Sequence, residues 1–363
     1  MITGGDGYLG LALARRLLER GERVLLWMRA ADENEAARKR DRVTRDLGTA
    51  TGGAQLVCGR LEDDQPFRDV QPREIRAIVH AAAVTRFNVE RDLARAVNVD
   101  GAVKVMRFAA RCDGLESFDY VSTVYATGLR TGTIEEGPAA SEAGFANHYE
   151  WSKREAEREL LERFDQLPWR VLRVATVIAD DDSGRVTQYN AVHSTLKLVY
   201  YGLLSLIAGD ESVRPYFVTG EFVSRALGDI LSGAATKRFY HLCHPPEHNP
   251  RLGQVVDLAM ATFGRDEGFR ARRILRPLFC DVESFELLAR SVDGFGGPVV
   301  RQTLESVAPF ARQLFVHKRL ENANMVNAMR GYAPPDMLGV LRATCDELAR
   351  TRWGRADPRG RPA

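Results

Sequence analysis

Thr3-Gly4-Gly5-Asp6-Gly7-Tyr8-Leu9-Gly10 is a glycine-rich turn of the form T-G-x-x-G-x-x-G, and it runs straight into an amphipathic segment, Leu9–Arg20. The spaced glycines have separate tasks. Gly4 permits the tight turn, Gly7 lets the backbone approach a pyrophosphate with no side chain between, and Gly10 lets a helix pack closely on a strand. A phosphate held there would meet the positive end of the helix and its unpaired N–H groups. Downstream the context agrees: Leu9, Leu13 and Leu17 make one apolar face, Gly21 ends the helix, and Arg23–Met28 reads as a strand. Upstream stand only Met1 and Ile2. The first strand is therefore expected to be truncated, and its neighbours poorly paired.

Apolar strands and amphipathic helices alternate through the first half. The expected strands are Arg23–Met28, Ala54–Cys58, Ala77–His80, Phe118–Ser122 and Arg170–Ile178, with helices at Leu9–Arg20, Arg91–Ala110 and Tyr149–Phe164. Nearly continuous apolar, β-branched strands separated by helices predict an α/β, Rossmann-type doubly wound parallel sheet covered on both faces. Ligands of such sheets bind beyond the carboxyl ends of the strands. The glycine turn, Ala81–Val84, Ser122-Thr123 and the segment after Val174 all fall at such ends.

Past about residue 180 the alternation stops. Ala191–Ala208 reads as one apolar helix, in which Leu196, Val199, Leu203 and Leu206 share a face that suits core and acyl pocket alike. Arg238–Leu242 reads as a lone strand, and from Pro250 onward helix and loop dominate. The expected organisation is a dinucleotide-binding Rossmann domain over 1–235, a smaller, mostly helical C-terminal substrate-binding region over 236–353, and a disordered tail, Gly354–Ala363.

The chain of 363 residues is 45% hydrophobic and 28% charged, which suffices for a sizeable core. A net charge of +2 gives no electrostatic reason to expect nucleic acid or an anionic membrane. The longest apolar run, Leu196–Ala208, is interrupted by Lys197, Gly202 and Ser205 and is too short to span a bilayer. The five cysteines, Cys58, Cys112, Cys243, Cys280 and Cys345, are scattered, which suits a reducing cytoplasm. His241, Cys243, His244 and His248 lack the spacing of a compact zinc site, so no metal is expected.

Tyr149-Glu150-Trp151-Ser152-Lys153 supplies the candidate chemistry. Y-x-x-x-K at helical spacing sets a phenol and an ammonium about one turn apart on one face. The ammonium is expected to stabilise phenolate, to lower the phenol pKa toward working pH, and to hold cofactor ribose. Thr123, ending a strand just upstream, is the expected second hydrogen-bond donor to a substrate carbonyl oxygen, chosen over Ser122. Asn98 is either a helix N-cap or an organiser of the site. Where an NAD-selecting carboxylate would end the second strand there is Met28, followed by Arg29, whose guanidinium suits a 2′-phosphate; NADP(H) is expected rather than NAD(H).

These residues resemble the extended short-chain dehydrogenase/reductase superfamily over about residues 1–180. The motifs are Thr3–Gly10, His80-Ala81-Ala82-Ala83, Asn98-Val99-Asp100-Gly101, Ser122-Thr123 and Tyr149–Lys153. Within it, Met28-Arg29-Ala30, Tyr120-Val121-Ser122-Thr123, Tyr149–Glu157 and the closing Thr351-Arg352-Trp353-Gly354 are similar to the thioester-reductase and fatty-acyl-reductase branch, of male-sterility type. The resemblance implies Thr123, Tyr149 and Lys153 as catalytic residues. It implies Gly4, Gly7, Tyr8, Leu9, Gly10, Arg29, Ala81, Ala82, Ala83, Asn98, Tyr149 and Lys153 as cofactor contacts. The implied reaction is NADPH reduction of an acyl thioester, on coenzyme A or a carrier protein, to aldehyde or alcohol. The alternative is an epimerase, dehydratase or hydroxyl dehydrogenase of a sugar nucleotide or sterol. Superfamily members are often dimers. The chain departs from the pattern at Arg60, where an acid is expected after the third strand, and at Val174, where a proline is common.

Overall fold

The glycine turn joins a strand, Ile2–Thr3, to the helix Tyr8–Glu19; the computed structural model describes residues 1–139, 143–233, 238–291 and 308–354. Short as it is, the strand is paired on both sides, Ile2 opposite Leu26 and Val79, and Thr3 opposite Trp27 and His80. Its neighbour Val24–Arg29 is not left loose, because every residue of that strand also pairs with Ala54–Gly59. The remaining strands of this sheet are Ala77–His80, Ser117–Thr123, Trp169–Val174 and Phe239–Leu242. Numbered along the chain, the seven parallel strands lie in the order 7-6-5-4-1-2-3. The order reverses between the first and fourth strands, the place where a doubly wound sheet opens its ligand crevice.

Several expected elements differ. Arg170–Ile178 is two strands: Thr176–Ala179 leaves the main sheet to pair with Phe217–Thr219. The change takes one residue, since the Ala175 N–H donates to Leu242 O while the Thr176 N–H donates to Tyr216 O. Arg238–Leu242 is no lone strand. As Phe239–Leu242 it forms the edge of the main sheet, beside Val171–Val174, and carries that sheet past residue 235. The helix expected to end at Ala208 stops at Tyr201, where Gly202 takes the left-handed conformation (φ 70°) that a glycine adopts without steric cost. Leu206–Ala208 then pairs with Leu278–Cys280, so Leu203 and Leu206 leave the helical face shared by Leu196 and Val199. The helix expected over Arg91–Ala110 contains a π-helical segment, Arg95–Asp100. Of the expected tail, only Gly354 falls within the described residues.

The C-terminal region packs the helices Leu252–Phe263 and Met337–Arg350 around a core that includes Ile178, Phe217, Leu341 and Trp353. It also reaches back over the Rossmann sheet through Lys318–Leu320, which pairs in parallel with Gly132–Ile134. No helix among the described residues is long and apolar enough to cross a membrane.

Among the described residues, one ion pair lies wholly inside. Arg173 and Glu157 are both 0% exposed; Arg173 Nε and Nη2 donate to the two carboxylate oxygens at 3.0 and 2.7 Å. Removing one partner of such a pair leaves an uncompensated buried charge. Glu157→Ala is therefore expected to lower folding stability by about 3–5 kcal/mol, measured as a fall in the urea midpoint; an unchanged midpoint would show the pair to be energetically idle.

Candidate active site

The carboxyl ends of the strands carry a cleft of about 560 Å³. Gly4, Gly7, Tyr8, Leu9, Gly10, Arg29, Ala81, Ala82 and Ala83, nine of the expected cofactor residues, lie on its walls. Its tightness explains the glycines. A Cβ on Gly10 would stand 2.2 Å from Gly4 O, and one on Gly4 would stand 2.9 Å from the Ala82 backbone. The helix Tyr8–Glu19 begins in this cleft with no acidic residue in its first turn and no side chain capping it. Free N–H groups at an uncapped helix start, walled by glycine and alanine, fit a pyrophosphate. Arg29 is exposed at the cleft's edge, where it suits an anionic group on the nucleotide ribose. Leu61 and Glu62, rather than Arg60, line the wall after the third strand.

Asn98 stands behind this wall, buried within the π-helical segment, and is no N-cap. Its amide oxygen accepts from Val84 N at 2.8 Å, and its Nδ2 donates to Val84 O at 3.0 Å and Ser152 Oγ at 2.9 Å. It thus fastens a cleft residue to the helix His148–Arg163, which carries Tyr149 and Lys153. Asn147 caps that helix, its side chain accepting from Glu150 N.

The structure brings Tyr149 close enough to Thr123 for the Thr123 hydroxyl to act on its phenol. Ser122 turns the other way, donating to Glu157 at 2.6 Å. Lys153 does not do what its spacing suggests. Its amine donates to Val121 O at 2.6 Å and lies 4.3 Å from the centre of the Tyr120 ring. The groups acting on the Tyr149 phenol are its own burial, then Glu150, both raising the pKa, against Thr123. The expected lowering by Lys153 is absent, and the phenol stays protonated through neutral pH. Burial pushes the Lys153 ammonium down to about 7, with Glu157 opposing the fall.

Several features had no local signal in the sequence. Glu150 is fully buried, and burial raises its pKa. It accepts from Ala146 N and from Gln313 Nε2, while the Gln313 amide oxygen accepts from Lys318. Phe87 packs on Tyr149 and stacks at 4.9 Å on Phe310, which meets Tyr125 edge-on. Behind Phe310 lies a second, apolar pocket of about 80 Å³, reached by Tyr125, Leu196 and Val199 among others. Its hydroxyls are already engaged, Tyr125 with Thr176 and Thr195 with Ala191 O. The Tyr8 hydroxyl donates to Asp180 at 2.9 Å and closes the far side of the large cleft.

The profile of an NAD-binding family described as male sterility protein matches residues 2–227. The chain belongs to this family. It is 29% identical over 164 residues to probable fatty acyl-CoA reductase 5 of Arabidopsis thaliana, covering 38% of this chain. The match spans 33% of that relative's length, about a third. Among solved structures, the terminal R domain of the myxalamid PKS-NRPS biosynthetic pathway superimposes with a TM-score of 0.76 over 97% of this chain and 90% of that one, at 21% identity. UDP-glucuronic acid 4-epimerase of Bacillus cereus, in complex with UDP-glucuronic acid and NAD, gives 0.63 over 96% and 98%, at 15% identity. At these identities the superpositions establish the fold alone.

Lys153 is held in a place that opposes folding. With its ordinary pKa of 10.5 lowered to about 7, the unfolded chain binds more protons than the folded one between those values, so stability rises with pH across that window. Lys153→Met is expected to be more stable than the parent at pH 7 by a few kcal/mol, roughly, and to lose that advantage toward pH 10. Thermal unfolding at the two pH values checks this; an advantage independent of pH would refute it.

Proposed function

We propose that the chain is an NADPH-dependent reductase of acyl thioesters, carried by coenzyme A or a carrier protein and reduced to the aldehyde or onward to the alcohol. The observation that carries this reading is the apolar pocket one ring away from the Tyr149–Thr123 pair. A hydrocarbon tail gains by entering such a pocket. A sugar would bring hydroxyls to walls whose own hydroxyls are already paired, leaving them unsatisfied. The name of the Arabidopsis relative supports the same choice. An epimerase or hydroxyl dehydrogenase remains the second reading, favoured by the likeness of fold to the Bacillus cereus epimerase.

Bound in the glycine-walled cleft, NADPH would supply the hydride for the carbonyl carbon. Tyr149 donates a hydrogen bond, then a proton, to the carbonyl oxygen, giving a hemithioacetal, and the burial that raises its pKa keeps that proton in place at working pH. The C–S bond then breaks, the thiol leaves with the hydroxyl proton, and the aldehyde remains. Thr123 holds the same oxygen as negative charge develops. Lys153 is assigned to the nicotinamide ribose. Gly4, Gly7, Tyr8, Leu9, Gly10 and Ala81–Ala83 hold the dinucleotide, Asn98 keeps their wall in place, and Arg29 takes the 2′-phosphate. Cytoplasmic residence belongs to the same proposal, supported by five free cysteines, as does a homodimer.

Tyr149→Phe is expected to lower kcat on acyl thioesters by about 10²–10⁴-fold with NADPH affinity retained, measured by NADPH consumption and by calorimetric titration. Full activity in that variant would sink the mechanism. Arg29→Ala is expected to raise KM for NADPH by roughly tenfold or more while leaving KM for NADH unchanged, the loss of one charge-assisted contact. Equal effects on both nucleotides would remove the assignment of Arg29.

A further inference from the structure

The apolar pocket is small and walled by packed side chains. Tyr125 links it to the site: its N–H donates to Thr123 Oγ1 at 3.3 Å, and its ring is both a pocket wall and the edge partner of Phe310. Neither Tyr149 nor Thr123 lines the pocket, so the tail of a carbonyl group held between them must pass these two rings to enter. Its other walls come from a packed apolar cluster that includes Val199, Leu204, Ile207, Ala208, Val256 and Phe285, all buried. Regular structure holds those walls, because Leu206–Ala208 is paired with Leu278–Cys280 and Val256 belongs to the helix Leu252–Phe263. The space is about 80 Å³, roughly half of the ~150 Å³ cavity that accommodates a benzene ring.

We propose that this pocket restricts the enzyme to short acyl groups, with a tail of about three carbons beyond the carbonyl carbon, and that Phe285 and Val256 set the limit. The inference rests on the thioester-reductase reading above. Longer chains must displace close-packed side chains, and interiors at that density do not yield smoothly. An ill-fitting methylene in an apolar pocket changes kcat/KM by about 10–200-fold, so the cut-off is expected to be sharp. It also separates this chain from what the words "fatty acyl" in its relative's name suggest.

The test uses the full chain with NADPH and a series of S-acyl pantetheine and acyl-CoA thioesters: acetyl, butyryl, octanoyl and palmitoyl. The expected result is a maximum of kcat/KM at butyryl or below, with octanoyl at least tenfold lower. Phe285→Ala is expected to narrow the butyryl-to-octanoyl ratio by about tenfold. Val256→Ala, a smaller opening in the same walls, is expected to narrow it in the same direction and serves if the larger truncation fails to fold. If octanoyl or palmitoyl thioesters match butyryl, and Tyr149→Phe abolishes their reduction, the length limit is overturned and the thioester reading stands. If no thioester supports NADPH consumption, both fall together.

Discussion

The buried pair Arg173–Glu157 is the constraint on which the site depends. Two charges removed from water are tolerated only where geometry and further hydrogen bonds compensate the lost hydration. Here the compensation comes from three directions. Glu157 also accepts from Ser122, at the end of the fifth strand, and Arg173 Nη1 donates to Gly137 O at 3.0 Å. His241, on the edge strand, lies 3.3 Å from the same nitrogen, and its other ring nitrogen is bonded to Glu321 O in the C-terminal region. Burial and the neighbouring guanidinium press the His241 pKa down to about 3, so no further proton competes inside the cluster. Glu157 stands four residues after Lys153 and eight after Tyr149, on the same stripe of one helix. Fixing Glu157 therefore fixes the height and rotation of the helix that presents the phenol.

The features legible in the sequence are those whose cause is local. The glycine turn announces itself because only glycine allows the backbone contacts between Gly4, Gly10 and Ala82. Strand–helix alternation gives the parallel sheet, and helical spacing puts Tyr149 and Lys153 on one face. What the sequence conceals is set by partners far along the chain. The strand break at Ala175 has no breaker residue; it follows from Leu242 and Tyr216 offering acceptors to successive N–H groups. The strand at Phe239–Leu242 becomes an edge only because Val171–Val174 is beside it. Gly202 was a visible stop signal inside an otherwise helical apolar run, and its left-handed conformation is what ends the helix early.

Lys153 shows where spacing and chemistry part company. Four residues of helix place its Cα beneath that of Tyr149, but the side chain then follows the nearest acceptor. Val121 O and the Tyr120 ring supply one inside the protein, at 2.6 Å and 4.3 Å. A charge buried this way weakens the fold, and a chain that keeps it does so against stability. Such conflicts between local energetics and residue choice gather at functional sites.

The C-terminal region completes the arrangement rather than merely covering it. The strand Lys318–Leu320 extends Gly132–Ile134, and Lys318 donates to Gly128 O and to Gln313, which in turn donates to Glu150 beside Tyr149. The carboxyl of Glu150 is pushed up by burial and the Lys318 amine is pushed down, each moderated by the other's charge. The same stretch brings Phe310 against Phe87 and Tyr125. One short segment thus sets the start of the Tyr149 helix and also walls the apolar pocket. The orientation of the phenol and the shape of the pocket cannot vary independently, so a substitution that enlarges the pocket at Phe310 would also disturb the tyrosine. Phe285 and Val256 are pocket walls whose size can change without touching Tyr149.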